Sequence, residues 1–284
     1  MAKFDIYAAI SDRITAELEK GNIPWEKPWV CVGGSNTSYA VSYATGKPYS
    51  LLNQMMLGNP GEYLTYNQIQ AVGGRIKKGE KSSMVVFWKW LKVKEEQAEE
   101  EKEIPFLRYF NVFHIDQCED VPPKAEAPAE LPTDPAEADE TAEQIIREYL
   151  KREGIAISHG GDRAFYRPST DSVTLPLREQ FANTSEYYST AFHELTHSTG
   201  HSKRLNRLEK TAFFGSESYG KEELVAEIGA AALVNRVGLE TASSFRNNVA
   251  YIQNWLQAIK KDKRMIVSAA GKAEKAVALI LGEA

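Results

Sequence analysis

Residues 121–141, VPPKAEAPAELPTDPAEADET, combine proline, alanine and acidic side chains with no apolar periodicity. A segment of this kind has too little apolar surface to bury and too much like charge to collapse, so it reads as an extended, self-repelling tether. It divides the 284-residue chain into domains at 1–120 and 142–284, each large enough to bury a core of its own.

Charge follows the same division. Residues 1–94 carry 12 basic and 7 acidic side chains, 95–147 carry 4 and 16, and 148–284 carry 18 and 16, giving +5, −12 and +2. The net charge of −5 would by itself argue against a nucleic-acid partner. The acid is concentrated in the middle, however, and the N-terminal segment is mildly basic. No stretch reaches about 18 uninterrupted apolar residues and the N-terminus lacks an apolar signal core, so the expectation is a cytoplasmic protein with no membrane partner. Cys31 and Cys118 are too few for a disulfide framework or a thiolate zinc site, so a bound metal must use histidine and carboxylate.

The expected fold class is α+β: an N-terminal mixed α/β domain, the acidic Pro/Ala linker, and a mainly helical C-terminal domain with a small sheet. The chain opens with Ile6, Ile10, Ile14 and Leu18 at helical spacing, stopped by Gly21-Asn22. Aromatic and β-branched residues then mark strands at 39–43, 83–92 and 107–115, with a short helix at 66–72 ended by Gly73-Gly74. An acidic run from Glu95 to Glu103 reads as a solvated hairpin tip. The second domain is expected to begin with a helix at 142–152 and short strands at 155–159, 163–167 and 172–176. Helices at 187–197, 221–237, 245–259 and 273–281 complete it.

The chemistry lies in His193-Glu194-Leu195-Thr196-His197. Two histidines four apart on a helix project from one face, so both imidazoles can reach one ion about 2 Å away. Glu194 points across the open side of that ion, where a carboxylate can take a proton from water and pass it to a leaving amine. The uncharged run 187–192 before the motif supports a packed helix, and Gly200 ends it.

A catalytic ion also needs a third protein ligand. His201, beyond the helix-ending glycine, cannot easily fold back onto the ion, and the position of the third metzincin histidine is Lys203. A carboxylate from a following helix, as in gluzincins, fits the run from Lys221 to Ala232. There Glu223 and Glu227 flank an apolar stripe, with Ala226 and Ala230 permitting close helix approach. Glu223 is assigned as ligand and Glu227 as the carboxylate that orients a ligand histidine, with the exchange of the two left open. Tyr219 is a candidate oxyanion stabiliser. His114 and His159 read as structural. The ion expected is zinc, with manganese as the other candidate.

The first domain interleaves aromatics with cations. Trp25, Lys27, Trp29, Lys47, Tyr66, Arg75, Lys77, Lys78, Lys81 and Trp88 are the candidate residues for stacking bases and tracking phosphates. The run 73–81, with three glycines and four cations, reads as an exposed basic loop.

The chain also resembles the ArdC-type antirestriction proteins of conjugative plasmids and related mobile elements. In the first half the resemblance rests on IPWEKPW at 23–29, GKPY at 46–49, YLTYNQ at 63–68, KGEK at 78–81 and YFNVFHIDQ at 109–117. In the second it rests on AFY at 164–166, DSVTLP at 171–176, HELTHSTGH at 193–201 and EELVAE at 222–227. The resemblance implies a single-stranded-DNA-binding domain, also found fused to plasmid primases, followed by a zincin-type metallopeptidase domain. It further implies protection of incoming DNA from host restriction. Two alternatives stand beside a DNA-directed peptidase with a protein or peptide substrate. One is a DNA-coating protein whose metal site is structural or vestigial, and the other is a regulatory peptidase whose first domain recognises protein.

Overall fold

The apolar stripe at the start of the chain forms helix α1 (Ile6–Glu19), and Gly21 follows in the left-handed region at φ 79°. Its core is not the one expected. This computed structural model describes residues 4–26, 39–94, 101–124, 135–208, 217–239 and 249–283. It resolves into two compact units, Met1–Ala9 with Val30–Pro128 and Ile10–Trp29 with Ala129–Ala284. Ile10, Ile14 and Leu18 are at most 2% exposed, and the Ser11 hydroxyl donates to the Ile259 carbonyl at 3.2 Å. Periodicity shows that a stripe is buried without showing which core takes it.

Within the first unit, α2 (Leu51–Leu57) and α3 (Tyr66–Ala71) flank β2 (Gly61–Thr65), and β1 (Ala40–Ser42) precedes them. A capping box at Thr65 and Gln68 starts α3. A short pair joins β3 (Arg75–Ile76) to β6 (Cys118–Glu119). Between them β4 (Ser83–Lys94) and β5 (Glu101–His114) form a long antiparallel hairpin, in register from Ser83↔Val112 to Lys94↔Glu101. The acidic run falls at its connection, where 95–100 lie outside the described residues. Strand order in the main sheet is β1-β2-β5-β4, with only β1 and β2 parallel. Neither α2 nor β2 was expected, because LLNQMML shows no clean amphipathic period.

That unpatterned helix reaches both edge strands of the sheet. Asn53 accepts from the Val86 amide at 2.8 Å and donates to the Val86 carbonyl at 2.7 Å, on edge strand β4. Gln54 does the same to Ala40 on edge strand β1, at 2.9 Å in each direction. Both amides are nearly fully buried, at 1% and 2% exposure. Polar side chains that replace a missing strand break the hydrophobic period that would have revealed the helix.

The second unit adds α4 (Pro135–Glu153), β7 (Ala156–His159), β8 (Phe165–Arg167), β9 (Ser172–Leu175), α5 (Thr184–Thr199), α6 (Glu217–Arg236), α7 (Val249–Lys261) and α8 (Met265–Leu281). Helix α4 begins inside the stretch expected to be extended. Proline suits a first helical position, and Arg178 pairs with Asp139 at 3.0 Å and Glu143 at 3.4 Å, offsetting the like charge. Sheet order is β7-β9-β8, with β8 an antiparallel edge. Tyr188, Phe192 and Leu195 of α5 join Leu233 and Val234 of α6 and Val173 and Leu175 of β9 in one core. Among the described residues no helix is long and apolar enough to cross a membrane.

Asn53→Ala should destabilise the first unit by about 2–4 kcal/mol, since it leaves a buried donor and a buried acceptor unpaired. Hydrogen exchange at the Val86 amide should quicken, while amides of the second unit keep their protection.

Candidate metal centre

Helix α5 starts at Asn183, whose side chain accepts from the Glu186 amide. Its apolar residues are buried, and that packing fixes the opposite turn, where His193 and Glu194 are 7% and 8% exposed. The Nε2 atoms of His193 and His197 lie 3.1 Å apart. Glu223 of α6 reaches between them, with Oε2 3.6 Å from His193 Nε2 and Oε1 3.3 Å from His197 Nε2. A tetrahedral ion with bonds of about 2.0–2.1 Å sets its ligand atoms about 3.3 Å apart, so these three groups fit a metal at their common centre.

The far sides of the two rings are also committed. His193 Nδ1 is 3.3 Å from Glu227 Oε1, and His197 Nδ1 is 3.6 Å from Glu222 Oε1. Carboxylates there favour a proton on each Nδ1 and leave both Nε2 lone pairs for the shared point. Burial disfavours the imidazolium, but Glu223 and Glu227 outweigh it and hold His193 well above its ordinary value. The same balance, with Glu222 and Glu223 as partners, raises His197 to about 9. Glu223 is pushed well below the ordinary carboxylate range: burial opposes this, but the hydrogen bonds and charges of both histidines prevail.

Three supports were not foreseen as parts of the site. Glu194 Oε2 accepts the backbone N–H of Tyr166 at 2.7 Å, which ties the carboxylate to edge strand β8. Arg204, after α5, donates to the Ser198 carbonyl at 2.8 Å and grips both oxygens of Asp171, which also accepts from the Tyr166 hydroxyl. Arg207 donates to the Thr196 carbonyl at 3.0 Å and, through two nitrogens, to Glu222 at 2.8 and 3.2 Å. Both arginines are almost fully buried, at 2% and 6% side-chain exposure. Each satisfies a carbonyl at the C-terminus of α5 and fixes a carboxylate on another element. The signal available in the sequence was two arginines three apart just after a helix stop.

Small residues set the helix approach. A Cβ on Gly229 of α6 would lie 2.7 Å from Thr196 Cγ2 of α5, and one on Gly200 would lie 2.9 Å from Leu208 Cγ. Neither position tolerates a side chain without displacing α6 or the Arg207 loop.

Of the residues assigned from sequence, His193, His197 and Glu223 converge, with their ligand atoms within 4.8 Å of one another. Glu194 sits beside them and Glu227 stands behind His193. Tyr219 belongs to α6, and its side chain lies outside the described residues. His201 accepts from the Lys203 amide, and His159 meets the Tyr187 hydroxyl at 2.9 Å, both outside the cluster. His114 packs over Gly61, where a Cβ would fall 2.1 Å from its Nε2.

Among the nucleic-acid candidates, Trp25 requires correction. It is 3% exposed and stacks edge-on against Trp255 at 5.5 Å in the second unit, so its ring is unavailable to a base. Lys27 and Trp29 lie outside the described residues. Lys47, Tyr66, Lys78, Lys81 and Trp88 are exposed. Arg75 is paired with Glu119 at 2.5 Å, and Lys77 donates to the Asp116 carbonyl at 2.7 Å.

Comparison with known proteins accounts for both units. Residues 140–272 match the zincin-like metallopeptidase family, and residues 4–113 match the N-terminal domain of the anti-restriction factor ArdC. The metal-free crystal structure of the antirestriction ArdC protein from plasmid R388 superimposes with a TM-score of 0.75 at 34% identity, covering 99% of this chain and 98% of that one. This chain belongs to the ArdC antirestriction family. The Mn(II)-bound structure of the same R388 protein gives a TM-score of 0.76 at 32% identity, over 99% and 98% of the two chains. A DNA primase TraC of Escherichia coli is 36% identical over 96% of this chain, but the chain spans only 20% of that primase's length. Protein y4eC of Sinorhizobium fredii NGR234 is 32% identical over 95% of this chain and 90% of its own.

The raised histidines and depressed Glu223 define a pH window for metal-free protein. The histidine contribution to stability is complete below the ordinary value of 6.5 and is lost as pH rises through the folded value, about 9 for His197. The Glu223 contribution is present above the ordinary 4.5 and is lost in acid. The melting temperature of EDTA-treated protein should therefore fall from about pH 6.5 to beyond 9, and a saturating divalent ion should flatten that decline.

Proposed function

We propose that this chain binds single-stranded DNA through its first unit and carries in its second a divalent-metal peptidase site of the His, His, Glu type. The observation that carries the metal reading is the convergence of His193 Nε2, His197 Nε2 and the Glu223 carboxylate. With both Nδ1 atoms facing carboxylates, the donors that remain point at one centre. The Mn(II)-bound R388 structure supports a divalent ion, zinc and manganese both being compatible with this donor set. Such an ion supplies Lewis acidity, polarising a carbonyl and acidifying water.

The chain's own residues supply the rest. Glu222 and Glu227 hold the rings in one tautomer, and Arg207 holds Glu222. Tyr166 N–H fixes one oxygen of Glu194, so the carboxylate that accepts and returns a proton is positioned by the sheet. The match of residues 4–113 to the ArdC N-terminal domain, and the DNA primases among the relatives, support DNA as the ligand of the first unit. Protection of DNA from restriction then follows from placing this site, or the protein itself, on the strand.

A second reading, a structural ion in a DNA-coating protein, is favoured by how closed the centre is. The side chains of His193, His197 and Glu223 are 9%, 14% and 13% exposed.

Glu194→Gln separates the two. On the peptidase reading the variant keeps its metal and loses hydrolysis of an unstructured protein substrate by at least about 100-fold, the lower end of what a positioned acid–base group contributes. Protection against restriction that survives this change undiminished would show that hydrolysis is not its basis. Arg207→Met should weaken divalent-ion binding about 10-fold or more in titration calorimetry, because Glu222 and His197 lose their orientation.

A further inference from the structure

The first sheet carries exposed aromatics on both faces, and the two faces differ. Residues alternate sides along a strand, so the register Val85↔Phe110 and Phe87↔Arg108 places these four side chains on one face. Trp88 and Tyr109 lie on the other. There Tyr7 meets Trp88 at 6.3 Å between ring centres, and Phe4 meets Tyr109 at 4.9 Å. The chain's own N-terminal segment therefore already supplies ring partners on the Trp88 face.

On the Phe87 face the rings form a file from core to solvent. His114 meets Tyr63 at 5.0 Å, Tyr63 meets Tyr49 at 6.3 Å, Tyr49 meets Phe87 at 6.1 Å, and Phe87 meets Phe110 at 5.5 Å. Tyr63 is 3% exposed, whereas Phe87 and Phe110 are each 45% exposed. Tyrosine and tryptophan at a surface can be explained by their polar tips, but phenylalanine has none. Two adjacent phenylalanines, each nearly half exposed on a sheet face backed by buried rings, offer flat apolar surface to a partner.

The charge around this face selects the occupant. Arg108 stands opposite Phe87 and is exposed. Lys47, also exposed, lies two residues before Tyr49 in a short extended pairing with β1, bridged at Val41↔Pro48. Positions two apart in extended backbone share a side, which puts Lys47 on the same side as Tyr49. Flat apolar rings flanked by cations suit flat bases on a phosphate backbone. We infer that single-stranded DNA stacks its bases on Phe87 and Phe110, with Arg108 and Lys47 along the phosphates. This rests on the DNA-binding reading above and assigns its site to a sheet face that the basic loop 73–81 does not include.

The test uses the full chain and a labelled oligothymidylate titrated over a range of salt. Phe87→Ala and Phe110→Ala should each weaken binding about 10-fold or more without changing the slope of log affinity against log salt, because no phosphate contact is lost. Phe87→Trp should retain affinity, which excludes a folding artefact. Tyr109→Ala, on the opposite face, should bind as the unsubstituted chain does. Arg108→Gln should reduce the salt slope by about 1. If the chain binds the oligonucleotide and both phenylalanine variants bind equally well, the stacking face is wrong while the DNA reading stands. If the unsubstituted chain does not bind at low salt, the DNA reading fails and this inference with it.

Discussion

A centre whose ligands come from two helices is only as accurate as the crossing between them. Here α5 supplies two imidazoles and α6 supplies three carboxylates, and the crossing is set where Gly229 meets Thr196. The missing side chain at Gly229 lets the backbones approach closely enough for Glu223 to reach both Nε2 atoms. The Arg207 loop then locks that approach, binding a carbonyl of α5 and a carboxylate of α6 with one guanidinium. Planar, bidentate and always charged, arginine is suited to such a bridge in a way that lysine is not.

The crossing also explains how four carboxylates can crowd one small volume. Glu222 is neutralised by Arg207, Glu223 and Glu227 face imidazoles, and Glu194 is held by a backbone amide. Three of the acids face Arg207 or an imidazole and the fourth accepts a backbone N–H, which is how the cluster sits mostly buried, and a divalent ion would balance the remaining negative charge. Arg204 and Asp171 repeat the device on the other side of α5, connecting the helix to the turn that leads into β9.

How much of this was legible depended on whether the signal was local. His193, Glu194 and His197 could be placed because four-residue spacing on a helix is itself the geometry of a ligand pair. Glu223 could be placed because helix periodicity puts it beside the same stripe as Glu227. Arg207 could not, since its role arises from a loop that folds back over Gly200, and nothing in residue spacing encodes that return. Helix α1 was found and its core misassigned, because an apolar stripe does not name its partner. Trp25 failed for the opposite reason: aromatic residues near lysines look alike whether they face solvent or, as here, another tryptophan. Helix α2 was missed because Asn53 and Gln54 occupy core positions with polar groups.

Those two amides have a consequence for the edges of the sheet. A sheet edge left open is an invitation to intermolecular pairing, and most proteins blunt it with charge, a bulge or another strand. Here the backbone at 47–49 pairs with β1, and a single helical turn adds from within, shielding the Ala40 position of β1 and the Val86 position of β4. Side chains of the unit's own helix thus take the hydrogen-bonding groups of one residue on each edge. The sequence matched in the relatives is nearly the whole chain, both units together, and it makes up 20% of one E. coli primase and 90% of a rhizobial protein.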